Sequence, residues 1–82
     1  IMFYVYILKD LNNKLYFGYT ADLRKRLAEH KNKRNVTTRK MDNPELVYYE
    51  AYSTEKLARE RETKLKDFGS SYTGLIKRLK LK

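Results

Sequence analysis

The alternation of apolar and polar positions divides the chain into three strand-like and three helix-like segments. Residues 3–8 form a β-branched and aromatic run, which is typical of a strand buried on at least one face. Residues 10–14 predict a turn, because asparagine tolerates the left-handed backbone angles that turns require. A second strand is predicted over residues 15–19, so the two runs indicate a β-hairpin. Residues 46–52 predict a third strand.

The first helix is expected directly after the hairpin. Thr20 is a suitable N-cap for a helix over residues 21–33. Leu23, Leu27 and His30 recur at helical spacing and would share one face of this helix.

Two further helices are expected after the third strand. The second would run over residues 55–68, with Ser53 or Thr54 at its start and Gly69 as its stop signal. Apolar residues at helical spacing predict a short closing helix over residues 72–81. The order ββαβαα indicates an α+β fold, in which helices pack against a three-stranded sheet of antiparallel type.

Composition favours one small domain over residues 1–82. With 41% hydrophobic residues, a chain of 82 residues builds one compact core but not two. No apolar run approaches the roughly 20 residues of a membrane helix, and the apolar start lacks the basic region of a signal peptide. The absence of cysteine excludes disulfides and thiolate metal sites, which favours a reducing, cytoplasmic setting. A single histidine also excludes histidine-rich metal centres.

Positive charge is concentrated in one part of the chain. The formal net charge is +9, and residues 24–40 hold eight basic residues and one acid. A solvated surface is the ordinary explanation of a charge run, but a phosphate backbone is the common partner of such a patch. A membrane surface is the weaker alternative, because the expected helix lacks a large aromatic face. The polar stretch over residues 32–43 is expected to be a loop that Pro44 closes.

Tyrosine is unusually frequent, with eight residues and no tryptophan. Tyr48, Tyr49 and Tyr52 are interpreted as packing residues of an amphipathic strand. Tyrosine also stacks on bases and donates hydrogen bonds to phosphate, so a basic surface that carries tyrosines suits nucleic acid.

Four elements in sequence order carry a resemblance to a known family. The segment Tyr4-Val5-Tyr6 is followed after nine residues by Tyr16-Phe17-Gly18, then by residues 22–30 and residues 57–64. This order and spacing resemble the GIY-YIG nuclease family, which is found in homing endonucleases and in the incision subunit of nucleotide excision repair. The compact size resembles the small stand-alone bacterial members. The resemblance implies the GIY-YIG fold and covers essentially the whole chain.

The resemblance implies catalytic roles for two tyrosines, an arginine and a histidine. Tyr6 and Tyr16 match the two motif tyrosines, whose hydroxyls lie at the active centre in the family. Arg26 matches the helix arginine that holds the scissile phosphate, and His30 matches a histidine one turn further on. Arg26 and His30 lie four residues apart, so a helix projects both from one face.

The resemblance also implies a metal ligand. Glu60 matches the glutamate that binds a single divalent metal ion, Mg²⁺ or Mn²⁺, in the family. We align Glu60 rather than Glu62 because it stands four residues before Lys64. Magnesium needs only one or two protein carboxylates and otherwise keeps its waters, so one glutamate suffices.

The register of the predicted hairpin tests whether Tyr6 and Tyr16 lie at one active centre. A two-residue hairpin loop would place Tyr6 and Tyr16 on opposite faces of the sheet, whereas a loop with an odd number of residues, or a bulge, places both on one face. We predict one of these two, with both tyrosines on one face. Tyr19 follows Gly18 where some family members carry a lysine, so Lys9 or Lys25 is the candidate cation beside the tyrosines.

The function implied by the resemblance is that of a metal-dependent endonuclease that hydrolyses phosphodiester bonds in DNA, structure-selective and active in repair or recombination. A non-catalytic nucleic-acid-binding module of the same fold is the alternative. RNA stays open as a substrate, and a protein-interaction module with an acidic partner is a third interpretation. The basic residues expected to hold the nucleic acid are Arg24, Lys25, Lys31, Lys33, Arg34, Arg39 and Lys40.

Overall fold

The computed structural model describes residues 1–35 and 38–81, and its elements follow the predicted order. Val36 and Thr37, inside the predicted loop, lie outside the described residues, as does Lys82. The elements are β1 (Phe3–Lys9), β2 (Leu15–Thr20), α1 (Leu23–Lys31), β3 (Glu45–Tyr52), α2 (Glu55–Lys66) and α3 (Ser70–Leu79). The strands form one antiparallel sheet in the order β2-β1-β3, which confirms the α+β class. Within these described ranges, no helix has the length and apolar character needed to cross a membrane.

The hairpin register determines which side chains share a face. Tyr6 pairs with Gly18 and Leu8 pairs with Tyr16, which leaves a loop of five residues, 10–14. Because side chains alternate along a strand, Tyr6, Leu8, Tyr16 and Gly18 lie on one face of the sheet. The prediction that both tyrosines lie on one face is therefore confirmed.

The buried carboxylate of Asp10 stabilises this loop. It accepts hydrogen bonds from the backbone N–H groups of Asn12 at 2.9 Å, Lys14 at 2.8 Å and Asp42 at 3.1 Å. Burial raises the pKa of Asp10. The backbone donors together lower this pKa by more than burial raises it, so it lies below its ordinary value. Asp10 thus ties the hairpin to the segment that enters β3.

The two faces of the sheet pack differently. One face forms the hydrophobic core against α2 and α3, and its buried residues are Val5, Ile7, Phe17, Ala58, Leu65, Leu75 and Ile76. The opposite face carries Tyr6 and Tyr16, which contact His30 of α1. The core therefore anchors β1 and β2 from one side, while the tyrosines face α1 on the other.

Helix α1 is shorter than predicted because Asp22, rather than Thr20, is its N-cap. The Asp22 side chain accepts a hydrogen bond from the backbone N–H of Lys25 at 3.0 Å. Thr20 instead accepts from the backbone N–H of Asp22 at 3.1 Å, and it stands two residues before the position that caps the helix. The helix ends at Lys31 rather than residue 33.

Helix α2 begins as predicted and ends earlier. Thr54 is its N-cap and accepts a hydrogen bond from the backbone N–H of Leu57. The helix ends at Lys66, and Phe68 adopts the left-handed backbone conformation with φ of 56°. Gly69 is therefore the N-cap of α3 rather than the stop of α2.

Candidate active site

A buried chain of hydrogen bonds lies on the sheet face that carries the tyrosines. The Tyr6 side chain, in the central strand, is fully buried, and its hydroxyl lies 2.8 Å from Nε2 of His30. The other ring nitrogen of His30, Nδ1, lies 2.5 Å from Oγ1 of Thr38. His30 and Thr38 are also buried. The chain links β1, α1 and the loop before β3.

The ionisation of this chain follows from its environment. Burial lowers the pKa of His30 and the nearby Arg26 charge lowers it further, while Glu29 opposes the shift. Burial raises the pKa of Tyr6, and Tyr16 adds to the effect, while Arg26 opposes it. At neutral pH the pair is therefore a neutral imidazole and a protonated phenol. A neutral imidazole has one donor and one acceptor nitrogen, so the neighbouring hydroxyls take opposite roles towards it.

The lowered pKa of His30 predicts a pH-dependent stability. Below pH 6.5, the ordinary histidine value, the unfolded chain takes up a proton that the folded chain resists. The free energy of unfolding should therefore fall between pH 7 and pH 5, by up to about 1.4 kcal/mol per pH unit. His30→Gln should be less stable at pH 7 but should lose this dependence. Urea denaturation followed by circular dichroism checks this, and parallel pH profiles of the two proteins would contradict it.

Tyr16 is the partly exposed member of the aromatic cluster. Its ring centroid lies 6.2 Å from that of Tyr6 and 5.3 Å from that of His30. Nζ of Lys66, from α2, lies 5.9 Å from the Tyr16 centroid and 3.3 Å from the Glu62 carboxylate. Lys66 is therefore a cation beside the tyrosines that the sequence interpretation, with Lys9 or Lys25 in this place, did not anticipate.

Gly18 lies directly beside both tyrosines. A Cβ atom at this position would lie 2.6 Å from the Tyr6 hydroxyl oxygen and 3.0 Å from Cε2 of Tyr16. Such distances are far below van der Waals contact, so the Tyr6 ring occupies the space of the missing side chain. Glycine is required here by close packing.

Glu60 and Glu62 point to different sides of α2. Ala58 and Leu65 are fully buried, and Glu62 lies one turn from each, on the same face of the helix. Burial is the largest cause of the raised pKa of Tyr6, and Tyr16 is the second. The Glu62 charge also raises this pKa. Glu60 is exposed and lines a depression of about 520 Å³ on the outer surface of α2. The structure brings Glu62 towards the tyrosines and does not bring Glu60 there, which corrects the predicted arrangement.

An ion pair on the opposite sheet face fixes the rotation of α2. The Arg61 guanidinium donates two hydrogen bonds to Glu50 of β3, at 2.9 and 3.0 Å. Tyr48 and Tyr52 also donate to this carboxylate. Burial raises the pKa of Glu50. The hydrogen bonds from Arg61 and the two tyrosines together lower this pKa by more than burial raises it, so it lies below its ordinary value. Because Arg61 precedes Glu62, this contact helps set the direction of Glu62.

Comparison with known proteins shows the family to which this chain belongs. Residues 2–75 match the family described as the GIY-YIG catalytic domain. The chain belongs to the GIY-YIG family. A UPF0213 protein from Staphylococcus saprophyticus is 38% identical over 66 residues, which span 79% of this chain and 80% of that protein. One from Streptococcus pyogenes is 36% identical over 64 residues, which span 77% of this chain and 70% of that protein.

A solved structure also resembles this GIY-YIG chain. The solution NMR structure of a UPF0213 protein from Bacillus halodurans superimposes with a TM-score of 0.60 at 27% sequence identity. The match covers 98% of this chain and 86% of that chain. The likeness therefore extends over the whole sheet and its helices.

The residues of the GIY-YIG motif lie on both faces of the sheet. Val5 and Phe17 are buried in the core, whereas Tyr4, Tyr6 and Gly18 lie on the opposite face. The predicted nucleic-acid-binding residues, all of them exposed, are Arg24, Lys25, Lys31, Lys33, Arg34, Arg39 and Lys40.

Proposed function

We propose that this GIY-YIG chain is a divalent-metal-dependent endonuclease that hydrolyses phosphodiester bonds in DNA, acting in repair or recombination in the cytoplasm. The observation that supports this proposal is the convergence of five side chains on one region of a GIY-YIG fold. The hydrogen-bonded pair Tyr6–His30 contacts the Tyr16 ring, and the charges of Arg26 and Glu62 both act on the Tyr6 hydroxyl. The alternative, a non-catalytic binding module, does not require this convergence.

Arg26 is the proposed phosphate ligand. Its guanidinium is partly exposed and pairs with Glu29 at 3.1 Å, at a side-chain exposure of 36% for each residue. Exposed ion pairs of this kind stabilise a protein little, so the guanidinium is available to an incoming anion. A planar guanidinium grips two phosphate oxygens at once, which lysine does not do.

The two motif tyrosines have different proposed roles. Tyr6 is fully buried, so its hydroxyl does not reach a substrate in this arrangement. Tyr16 is partly exposed, and we assign its hydroxyl to orient the attacking water. Tyr6, His30 and Thr38 act as positioning residues, because their hydrogen bonds hold the surface on which the Tyr16 ring packs.

Glu62 takes the proposed metal-binding role in place of Glu60. The Glu62 side chain is 17% exposed and its counter-ion is Lys66. The described residues contain no cluster of three or more histidine, aspartate or glutamate side chains suited to a metal. A single carboxylate fits Mg²⁺ or Mn²⁺, which fill their remaining positions with water and phosphate oxygens. When bound, such an ion supplies Lewis acidity and stabilises the leaving oxygen.

Purified protein should cleave single-stranded, branched or duplex DNA with Mg²⁺ or Mn²⁺, and EDTA should stop the reaction. Arg26→Ala should lower the rate at least about a hundredfold, since it removes the group that holds the charged phosphate. The matched control is Arg39→Ala, an exposed basic residue, which should only weaken binding. Salt-sensitive DNA binding without hydrolysis in any metal would instead support the non-catalytic module.

A further inference from the structure

A groove beside the proposed centre is lined by two tyrosine rings that the proposed catalysis does not use. It lies between the start of α1 and β3, which is one of the two edge strands of the sheet, and has a volume of about 460 Å³. We call it the Tyr4–Tyr49 groove. The residues that line it are Tyr4, Ala21, Asp22, Leu23, Arg24, Leu27 and Tyr49.

The groove adjoins the proposed centre. Tyr49 pairs with Tyr6 in the β1–β3 register, and Tyr4 lies two residues before Tyr6, so all three share one face of the sheet. The groove and a smaller depression that contains Arg26 have residues 21–22 in common. A nucleic-acid strand thus has a continuous path around the first turn of α1.

The groove has the surface chemistry of a base-stacking site. The Tyr4 and Tyr49 rings meet edge to face at a centroid distance of 6.0 Å, and Tyr49 remains 53% exposed. Exposed aromatic faces stack on nucleobases with little sequence preference. Arg24 adds a cation at the rim, while the Asp22 carboxylate in the lining already accepts the Lys25 N–H as helix N-cap.

We propose that the Tyr4–Tyr49 groove stacks an unpaired nucleobase from the strand whose phosphate Arg26 holds, an inference that rests on the proposed function. A paired base is already stacked within its duplex and does not offer its face to the groove. Residues 24–40 carry eight basic residues against one acid, which attracts a polyanion and repels a second copy of this chain. The preferred substrate is therefore DNA that is single-stranded beside the cleaved bond.

The test is a binding experiment in EDTA, so that no cleavage intervenes. The probes are a short single-stranded DNA that contains 2-aminopurine, whose fluorescence reports stacking, and a blunt duplex of the same length. Tyr49→Ala should weaken single-strand binding by about fivefold to a hundredfold and remove the fluorescence quenching. Tyr49→Phe should retain both, and duplex affinity should not change. Phe68→Ala, at a 62% exposed aromatic outside the groove, is the matched control.

The possible outcomes separate this inference from the proposed function. Equal losses for the two probes, no loss, or no measurable single-strand binding by the unmodified protein would each overturn the groove assignment. Binding that depends on Tyr49 without cleavage in any metal would support the groove and contradict the nuclease. Cleavage at the same rate with and without the Tyr49 side chain, and on paired and unpaired DNA, would support the nuclease and contradict the groove assignment.

Discussion

Replacing Glu62 with glutamine is expected to lower DNA cleavage by at least about a thousandfold, because it removes the only carboxylate charge proposed to hold the metal ion. Glu60→Gln is expected to retain activity within about threefold, since exposed substitutions outside a site have small effects. Both acids lie on α2, two residues apart, and both changes remove one negative charge while conserving size. The pair therefore separates position from net charge.

The measurement is the single-turnover cleavage rate across a Mg²⁺ or Mn²⁺ titration, with thermal unfolding as the control for folding. Glu62→Gln also removes the ion pair with Lys66, and i,i+4 helix pairs are worth only about 0.3–0.5 kcal/mol, so the fold should persist. Loss of activity in Glu60→Gln with retention in Glu62→Gln would restore the alignment made from sequence and reject the placement proposed from structure.

The choice between Glu60 and Glu62 also shows where sequence reasoning was limited. Alignment on the spacing to Lys64 selected Glu60, although helix periodicity favours Glu62. Ala58 and Leu65 stand seven residues apart on one helical face, and position 62 falls between them on that face. Helix periodicity therefore favours Glu62 and motif spacing favours Glu60, and the cleavage rates of the two glutamine variants decide between them.

Local patterns predicted most of the fold, and tertiary contacts account for what they missed. The two hairpin strands followed from their β-branched and aromatic runs, whereas the odd loop followed from the family resemblance, which implies that Tyr6 and Tyr16 share one face. Nothing in the sequence marks Thr38, which reaches His30 only because the loop folds back over α1. Burial of Tyr6 was expected from its place in an apolar strand, but alternation does not show that His30 of α1 covers its hydroxyl.

Gly18→Ala is expected to damage both stability and activity. The new methyl group would lie 2.6 Å from the Tyr6 hydroxyl oxygen and 2.7 Å from Cζ of the same ring. The ring has no space to retreat, because Tyr6 is fully buried and hydrogen-bonded to His30. Overpacking of this kind costs about 1–3 kcal/mol, and displacement of the ring should lower the cleavage rate at least about tenfold by disturbing Tyr16.

Gly74→Ala is the matched control, because a Cβ at that position in α3 meets no atom within 4 Å. It should be neutral or should stabilise the protein by up to about 1 kcal/mol, since alanine is the better helix former. Urea denaturation and single-turnover cleavage of both variants provide the comparison. Tyr6→Phe should rescue Gly18→Ala only in part, because it removes the hydroxyl oxygen but leaves the ring carbon at 2.7 Å. Equal stability of the two alanine variants would show that the ring yields freely, and the packing of Tyr6 would then not position the centre.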